Sequence, residues 1–181
     1  MRRSREDTAR TRRRAVEAAA RLFRERGIDP VSVGEVMARV GMTAGGFYRH
    51  FENKEALAAE ACAAAFAGSG LNRGSARSAE AMLRGYLSKS HRDAPATGCP
   101  LPAFASDMAR QPAAVRSAYA SGVRDALARI REVAPGANSR TRLALVAGMV
   151  GALALARAVG DEQLSAAMLR ETRRFWMDAL S

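Results

Sequence analysis

Apolar residues in this 181-residue chain recur at three- and four-residue intervals almost from end to end, and nowhere do they alternate with polar ones over five or more positions with β-branched enrichment. That pattern commits the chain to helices. Val16, Ala19, Ala20 and Phe23 form one stripe opposite Arg14, Glu17, Arg21 and Arg24, and Gly27 stops the helix. Ser32, followed three residues later by Glu35, reads as a capping box before a second stripe, Val33, Val36, Met37 and Val40, which Gly41 ends after little more than two turns. Thr43 is placed to cap a third helix holding Phe47, Tyr48 and Phe51, and Asn53 a fourth that starts at Lys54 and runs to about Phe66.

Beyond a Gly/Ser-rich loop, Gly68 to Ser78, the helices continue. A fifth carries Met82, Leu83, Tyr86 and Leu87 and breaks in the loop Arg92 to Gly98. A sixth starts at Pro100 and Pro102, presents Leu101, Phe104, Ala105 and Met108 on one face, and ends by Pro112. A seventh spans Val115 to Ile130 before Pro135-Gly136, and two more run from about Arg140 to Ala158 and from Glu162 to Leu180. The expectation is an all-α fold of about nine helices, with short ones in residues 1–54 and longer ones in residues 55–181.

Charge narrows the class of partner. The chain carries 29 Lys+Arg against 18 Asp+Glu, a net of +11, which favours anionic partners without bearing on fold. An arginine- and alanine-rich composition is also what a GC-rich genome yields, so position matters more than count. Residues 1–54 hold 13 basic and 7 acidic residues. The excess is packed into Arg2, Arg3, Arg5, Arg10, Arg12, Arg13 and Arg14, which reads either as a solvated tail or as an N-terminal arm for an anionic partner.

Several classes fall on composition and spacing. Cys62 and Cys99 are too few for a disulfide framework, and His50 and His91 lie too far from them for a zinc ribbon or finger. No cofactor or metal is expected. Catalysis is not expected either, since there are no paired carboxylates at helix spacing, no phosphate loop and no H-E-x-x-H. No apolar stretch follows the N-terminal arginines as in a secretory signal. The longest apolar run, Leu143 to Ala156, has 14 residues, short of the roughly 20 that span a bilayer. A soluble cytoplasmic protein is the default. A basic membrane-surface binder is the competing reading, with Val16 and Phe23 opposite the arginines; steep salt dependence with retained base preference would mark duplex binding instead.

The most informative stretch is Ser32 to Phe51, SVGEVMARVGMTAGGFYRHF. Two short helices separated by a glycine turn are what a helix-turn-helix needs, the first bracing the second against a major groove. Thr43-Ala44-Gly45-Gly46 opens the second helix with side chains small enough for close backbone approach, and its N-terminal dipole would face phosphate. Phe47 and Phe51 read as anchors in the small core, Tyr48 as a hydroxyl facing phosphate.

At these residues the chain resembles the tetracycline-repressor-like (TetR/AcrR) transcriptional regulators. The match runs through Ala18 to Phe23 with Gly27-Ile28, Ser32-Val33 and Val40-Gly41, and is strongest from Thr43 to Phe51 into Asn53-Lys54-Glu55-Ala56-Leu57. It covers about residues 12–60; a weaker similarity, from Gly98-Cys99-Pro100-Leu101 through Arg116, points to one C-terminal subgroup. The resemblance implies a DNA-binding regulator, most often a repressor, that is released from a palindromic operator by a small-molecule effector in its C-terminal domain and acts as a homodimer. Ser32, Arg39, Thr43, Ala44, Gly45, Tyr48, Arg49, His50 and Lys54 are the implied DNA-binding set. Tyr48, His50 and Lys54 would meet phosphates, and Arg49 a base edge or a phosphate. Ala44 stands where family members often carry lysine, so base-specific hydrogen bonds would be few.

For the effector, Met82, Tyr86, Phe104, Met108, Tyr119, Met149 and Trp176 are candidates to line a cavity, because methionine and aromatics suit an adaptable apolar site; each is equally readable as core. Cys99, just before a helix start, is a candidate redox or electrophile sensor with a lowered thiol pKa. Ala144, Gly148 and Ala152 form a line of small residues that, with Leu164, Met168, Phe175 and Trp176, reads as half of a four-helix interface between two subunits, or else as core within one.

Overall fold

The computed structural model describes residues 5–68, 71 and 76–180. Among these the chain forms nine α-helices and one 3-10 turn, with no strand. Helix α1 spans Arg5–Arg26, α2 Val33–Arg39, the 3-10 turn Ala44–Arg49, α3 Lys54–Ala67, α4 Ala79–Tyr86 and α5 Lys89–Arg92. Then come α6 Pro100–Met108, α7 Ala113–Val133, α8 Ser139–Ala158 and α9 Glu162–Leu180. The all-α reading stands, with an N-terminal helix-turn-helix unit and a helical C-terminal domain.

Three local readings change. The basic segment expected as an arm is helical from Arg5, with Glu6 and Asp7 in its first turn complementing the helix dipole and Arg10 paired to Asp7 at 2.6 Å; Arg2 and Arg3 lie outside the described residues. The third helix is not α but a 3-10 turn of six residues that stops before Phe51, since Gly45-Gly46 takes away α propensity. The fifth helix ends at Tyr86, and Ser88 caps a separate short turn, α5, by accepting a hydrogen bond from His91 N at 3.2 Å. Of the loop from Gly68 to Ser78, residues 69–70 and 72–75 lie outside the described residues.

The capping box on α2 forms: Ser32 Oγ accepts from Glu35 N, and the Glu35 carboxylate accepts from Ser32 N. Arg26 pairs with the same carboxylate and holds it below the usual carboxylate range. At the other end Gly41 takes φ +74°, with its N–H on Ala38 O and the Met42 N–H on Met37 O. This is the Schellman closure that a residue with a Cβ resists.

Two helix pairings organise the rest. Helix α3 packs on α1 to one side and on α7 to the other, so it belongs to both the helix-turn-helix unit and the C-terminal domain. Helices α8 and α9 pack against each other. Gly148 makes room for Trp176, whose Nε1 would stand 2.7 Å from an added Cβ. The small-residue line is thus used within the chain at Gly148 and at buried Ala152, as the second of its two readings has it. By length and composition alone α8 could cross a membrane; here it packs on α6, α7 and α9.

Between α3 and α7 the approach is closest at Gly122, where a Cβ would overlap the Phe66 ring. Gly122→Ala is therefore expected to lower stability by about 1–3 kcal/mol, read as a reduced urea midpoint with an unchanged slope.

Candidate nucleic-acid interface

The recognition element is the 3-10 turn, held from beneath by two buried rings. Phe47 and Phe51 stack at a centroid distance of 5.4 Å, as their reading as core anchors required. Burying each contributes about 1.5–3 kcal/mol. Arg12 of α1 fixes the exit of the turn from the side. Its Nε donates to His50 O at 3.1 Å, its guanidinium lies 4.7 Å from the Phe51 ring centre, and its two terminal nitrogens engage the Glu60 carboxylate of α3. One arginine thereby ties α1, the recognition element and α3 together. It was read as part of the arm, and no local pattern marks its partners, which lie 38 and 48 residues away.

Above this base the predicted docking residues divide. Ser32, Arg39, Thr43, Ala44, Gly45, Tyr48 and Arg49 are exposed. Gly34 brings the α2 start against the turn, since an added Cβ there would sit 3.7 Å from Ala44 Cβ and 3.8 Å from Ser32 Oγ. Ser32 and Ala44 therefore share one surface. Thr43 makes no capping hydrogen bond, and Tyr48 stands 72% exposed, packed edge-on against Phe47.

His50 and Lys54 stand apart from that set. His50 is half-buried, with its carbonyl taken by Arg12. Lys54 Nζ donates to Asp29 O at 2.9 Å, leaving two of its three donors for another acceptor. The Asp29 side chain accepts from Gln111 Nε2 at 2.9 Å, and Asp107 Oδ2 accepts from Ile28 N at 3.2 Å. The loop after α1 is thus gripped by the end of α6 from one side and by Lys54 from the other. Asp107 and Gln111, four residues apart, went unread because their partners are far away in sequence.

A cavity of about 560 Å³ opens in the C-terminal domain between α4, α5 and the loop before α6. Of the seven predicted lining residues it takes Met82 and Tyr86. Phe104, Met108 and Met149 are buried in the core instead, Tyr119 packs on Phe66 with its hydroxyl donating to Leu101 O at 3.0 Å, and Trp176 fills the notch at Gly148. Helical spacing alone did not tell the side of a helix that faces a void from the side that faces another helix. The cavity gains Leu71, His91 and Cys99, which were not among the predicted lining residues.

Cys99 does not behave as its place before a helix start implied. It is 1% exposed, and burial pushes its thiol above the ordinary value despite lowering contributions from Tyr86, the Leu101 backbone, Arg157 and Arg24. A thiol that is buried and keeps its proton is a poor nucleophile, so the lowered pKa on which the sensor reading rests is not found.

His91 organises this wall. Its Nδ1 donates to Tyr86 O at 2.8 Å and its Nε2 accepts from Cys99 N at 2.9 Å, an arrangement that only the neutral Nδ1–H tautomer satisfies. Gly98 fits beside it because a Cβ there would stand 2.9 Å from the imidazole. The Gly98 carbonyl accepts in turn from Arg24 Nη1 of α1 at 3.4 Å, so the cavity wall is bonded to the first helix of the helix-turn-helix unit. Burial, reinforced by nearby Arg157, holds the His91 pKa below its ordinary 6.5 although the bond to Tyr86 O raises it. Between the folded pKa and 6.5 the unfolded chain takes up a proton that the folded chain refuses. Stability from this group is complete above about 6.5 and declines as pH falls through that window. Urea unfolding from pH 7 to pH 5 should show this decline, and His91→Gln should flatten it; an unaltered profile would refute the neutral-wall assignment.

Comparison with known proteins agrees with this geometry. Residues 15–61 match the family "Bacterial regulatory proteins, tetR family", and residues 76–172 match "Tetracyclin repressor-like, C-terminal domain". The HTH-type transcriptional regulator AcrR of Shigella flexneri is 34% identical over 59 residues, 33% of this chain and 27% of that protein. The matched stretch thus spans about a quarter of that relative. Among solved structures, reduced E. coli NemR superposes with a TM-score of 0.70 at 17% identity, covering 91% of this chain and 96% of that one. A TetR-family regulator from Agrobacterium tumefaciens gives 0.70 at 20%, covering 92% and 97%. These similarities extend to the fold. The two family matches together cover most of the chain, and it belongs to the TetR family of DNA-binding transcriptional regulators.

Proposed function

We propose that the chain is a cytoplasmic, homodimeric repressor that binds a palindromic operator and is released from it by a small molecule held in the C-terminal cavity. The observation that carries the effector half of this reading is the Arg24 to Gly98 hydrogen bond. It joins a cavity wall to the helix that positions the recognition element through Arg12. A ligand that displaces the wall pulls on α1, and a tilt of α1 changes the separation of two recognition elements in a dimer. Such coupling needs only a difference in ligand affinity between the two arrangements.

The docking half rests on the exposed group Thr43, Ala44, Gly45, Tyr48 and Arg49 beside Arg39. With one alanine and two glycines in the first turn, close backbone approach and phosphate contacts carry most of the affinity, and Arg49 is the side chain best suited to a base edge. A binding scan against the DNA upstream of the chain's own gene, with and without a small-molecule library, tests the whole reading. Indifference to DNA sequence would sink it. Tyr48→Ala and Arg49→Ala are each expected to weaken operator binding about tenfold or more without altering the oligomeric state, and loss of a phosphate contact should reduce the salt slope by about 1.

The dimer reading rests on an apolar face that α8 and α9 leave uncovered. Leu143, Ala147 and Leu155 are exposed on one helix, with Gly151 in open space between them, and Leu164 and Phe175 are exposed on the other. Phe175 at 63% and Leu155 at 54% are large side chains for an isolated surface. Two such helix pairs packed face to face make a four-helix bundle, which would hold two recognition elements about 34 Å apart or more. Leu155→Glu combined with Phe175→Glu should give a folded monomer by light scattering. It should bind operator about 100-fold more weakly, through loss of bivalent attachment; a variant that stays dimeric would place the interface elsewhere.

A further inference from the structure

The cavity between α4, α5 and the loop before α6 contains one buried polar atom that the chain leaves unsatisfied. Tyr86 is 5% exposed, and its hydroxyl has no hydrogen-bond partner. It interacts with the Cys99 thiol, which lines the same cavity, but without the geometry of a hydrogen bond. Burial drives the Tyr86 pKa well up, so the phenol keeps its proton and remains a donor. A donor held this way asks for an acceptor.

Thr97 and Arg77 lie at the exposed rim, and the polar side chain deeper in the wall, His91, is already committed. Both His91 nitrogens are engaged, one to Tyr86 O and one by Cys99 N, and the ring is neutral. Among the described residues no acidic side chain lines the cavity, and the one charged lining residue, Arg77, is exposed. Apart from that exposed arginine, whose charge solvent screens, the described lining offers nothing to neutralise a carboxylate, a phosphate or an ammonium group, each of which is costly to bury alone. The rest of the lining includes Leu71, Ala81 and Met82, apolar and in the last case adaptable in shape. At about 560 Å³ the space lies within the usual range for small organic ligands.

We propose that this cavity selects a neutral, mostly apolar molecule, about the size of a fused bicyclic aromatic, carrying one acceptor oxygen that pairs with the Tyr86 hydroxyl. The inference rests on reading the C-terminal cavity as the effector site and names the chemistry of the effector. Tyr86 discriminates by leaving its donor unpaired when the ligand lacks the oxygen, and the wall, whose one described charge is at the exposed rim, discriminates against ionised analogues of the same shape.

Three probes of nearly one shape test this on the full-length chain: 2-acetylnaphthalene, 2-ethylnaphthalene and 2-naphthoate, with binding followed by probe fluorescence. The ketone should bind about tenfold more tightly than the hydrocarbon, and the carboxylate more weakly than the ketone. Tyr86→Phe should bring the ketone down to the level of the hydrocarbon and leave the hydrocarbon unchanged. Gly85→Leu, at a helical position that lines the cavity and has open space around it, should weaken all three. Equal affinities, a preference for the carboxylate, a ketone advantage that survives Tyr86→Phe, no effect of Gly85→Leu, or no ketone binding up to its solubility limit would each overturn the proposal. Operator release is scored separately. A ketone that binds through Tyr86 without releasing operator counts against effector release alone, whereas a charged compound that binds the cavity and releases operator overturns the ligand chemistry and leaves the regulator reading in place.

Discussion

The recognition element is too short and too rich in glycine to hold itself in place, and the Arg12 guanidinium supplies what it lacks. A six-residue 3-10 turn makes few backbone bonds of its own. Its two anchoring rings fix its depth but leave its tilt about their own axis loosely set. Arg12 removes that freedom by holding the carbonyl at the end of the turn, covering the Phe51 ring and pairing with Glu60 of α3. Any rotation of the turn must break a charge-assisted contact or move α1 and α3 with it. The DNA-facing surface and the two helices behind it therefore behave as one body.

Under the proposed coupling, that rigidity would let events in the C-terminal domain reach the recognition surface. Helix α1 is gripped near its end by Arg24 on Gly98 O, and the loop after it by Asp107 of α6 and Gln111 just beyond that helix. Lys54, at the first turn of α3, holds the same loop from the DNA-binding side. Each bond is modest, about 0.5–1.5 kcal/mol net. They converge on the few residues from Gly27 to Asp29 and on a helix that cannot bend independently of the turn it supports. A displacement of the loop before α6 has no soft element in which to dissipate before α1.

How much of this was legible in the sequence follows from the range of the forces involved. The helices were readable because a stripe at i, i+3, i+4, i+7 and a cap at its end are local facts, and the capping box at Ser32 and Glu35 formed as spaced. The 3-10 character of the recognition turn was one local fact misjudged: Gly45-Gly46 was read for close approach and not for its loss of α propensity. The exposure of Thr43, Ala44 and Gly45 was readable from a motif whose small side chains have few uses in a core. What sequence could not show were the partners 38 to 82 residues apart, Arg12 with His50 and Asp29 with Gln111. The cavity suffered most. Whether Phe104 or Tyr86 meets a void depends on the packing of three or four helices, and both fit a helical stripe equally well.

The same distinction decides what the arginines do. A count of charge suggests a uniform basic grip at the N-terminus, yet three arginines of one helix have three different employments. Arg13 is exposed and available to an anion, Arg12 is half-buried across the recognition turn, and Arg24 reaches a backbone carbonyl in the other domain. Successive positions on a helix are about 100° apart, so neighbours in sequence face different media: solvent, the small core, or the junction with α6. Charge placed toward solvent screens with salt and steers a polyanion, whereas charge placed inward is hydrogen-bonded and fixes geometry. The net +11 is therefore a poor measure of affinity for DNA in this chain, because part of it is committed to holding the binding surface rather than forming it.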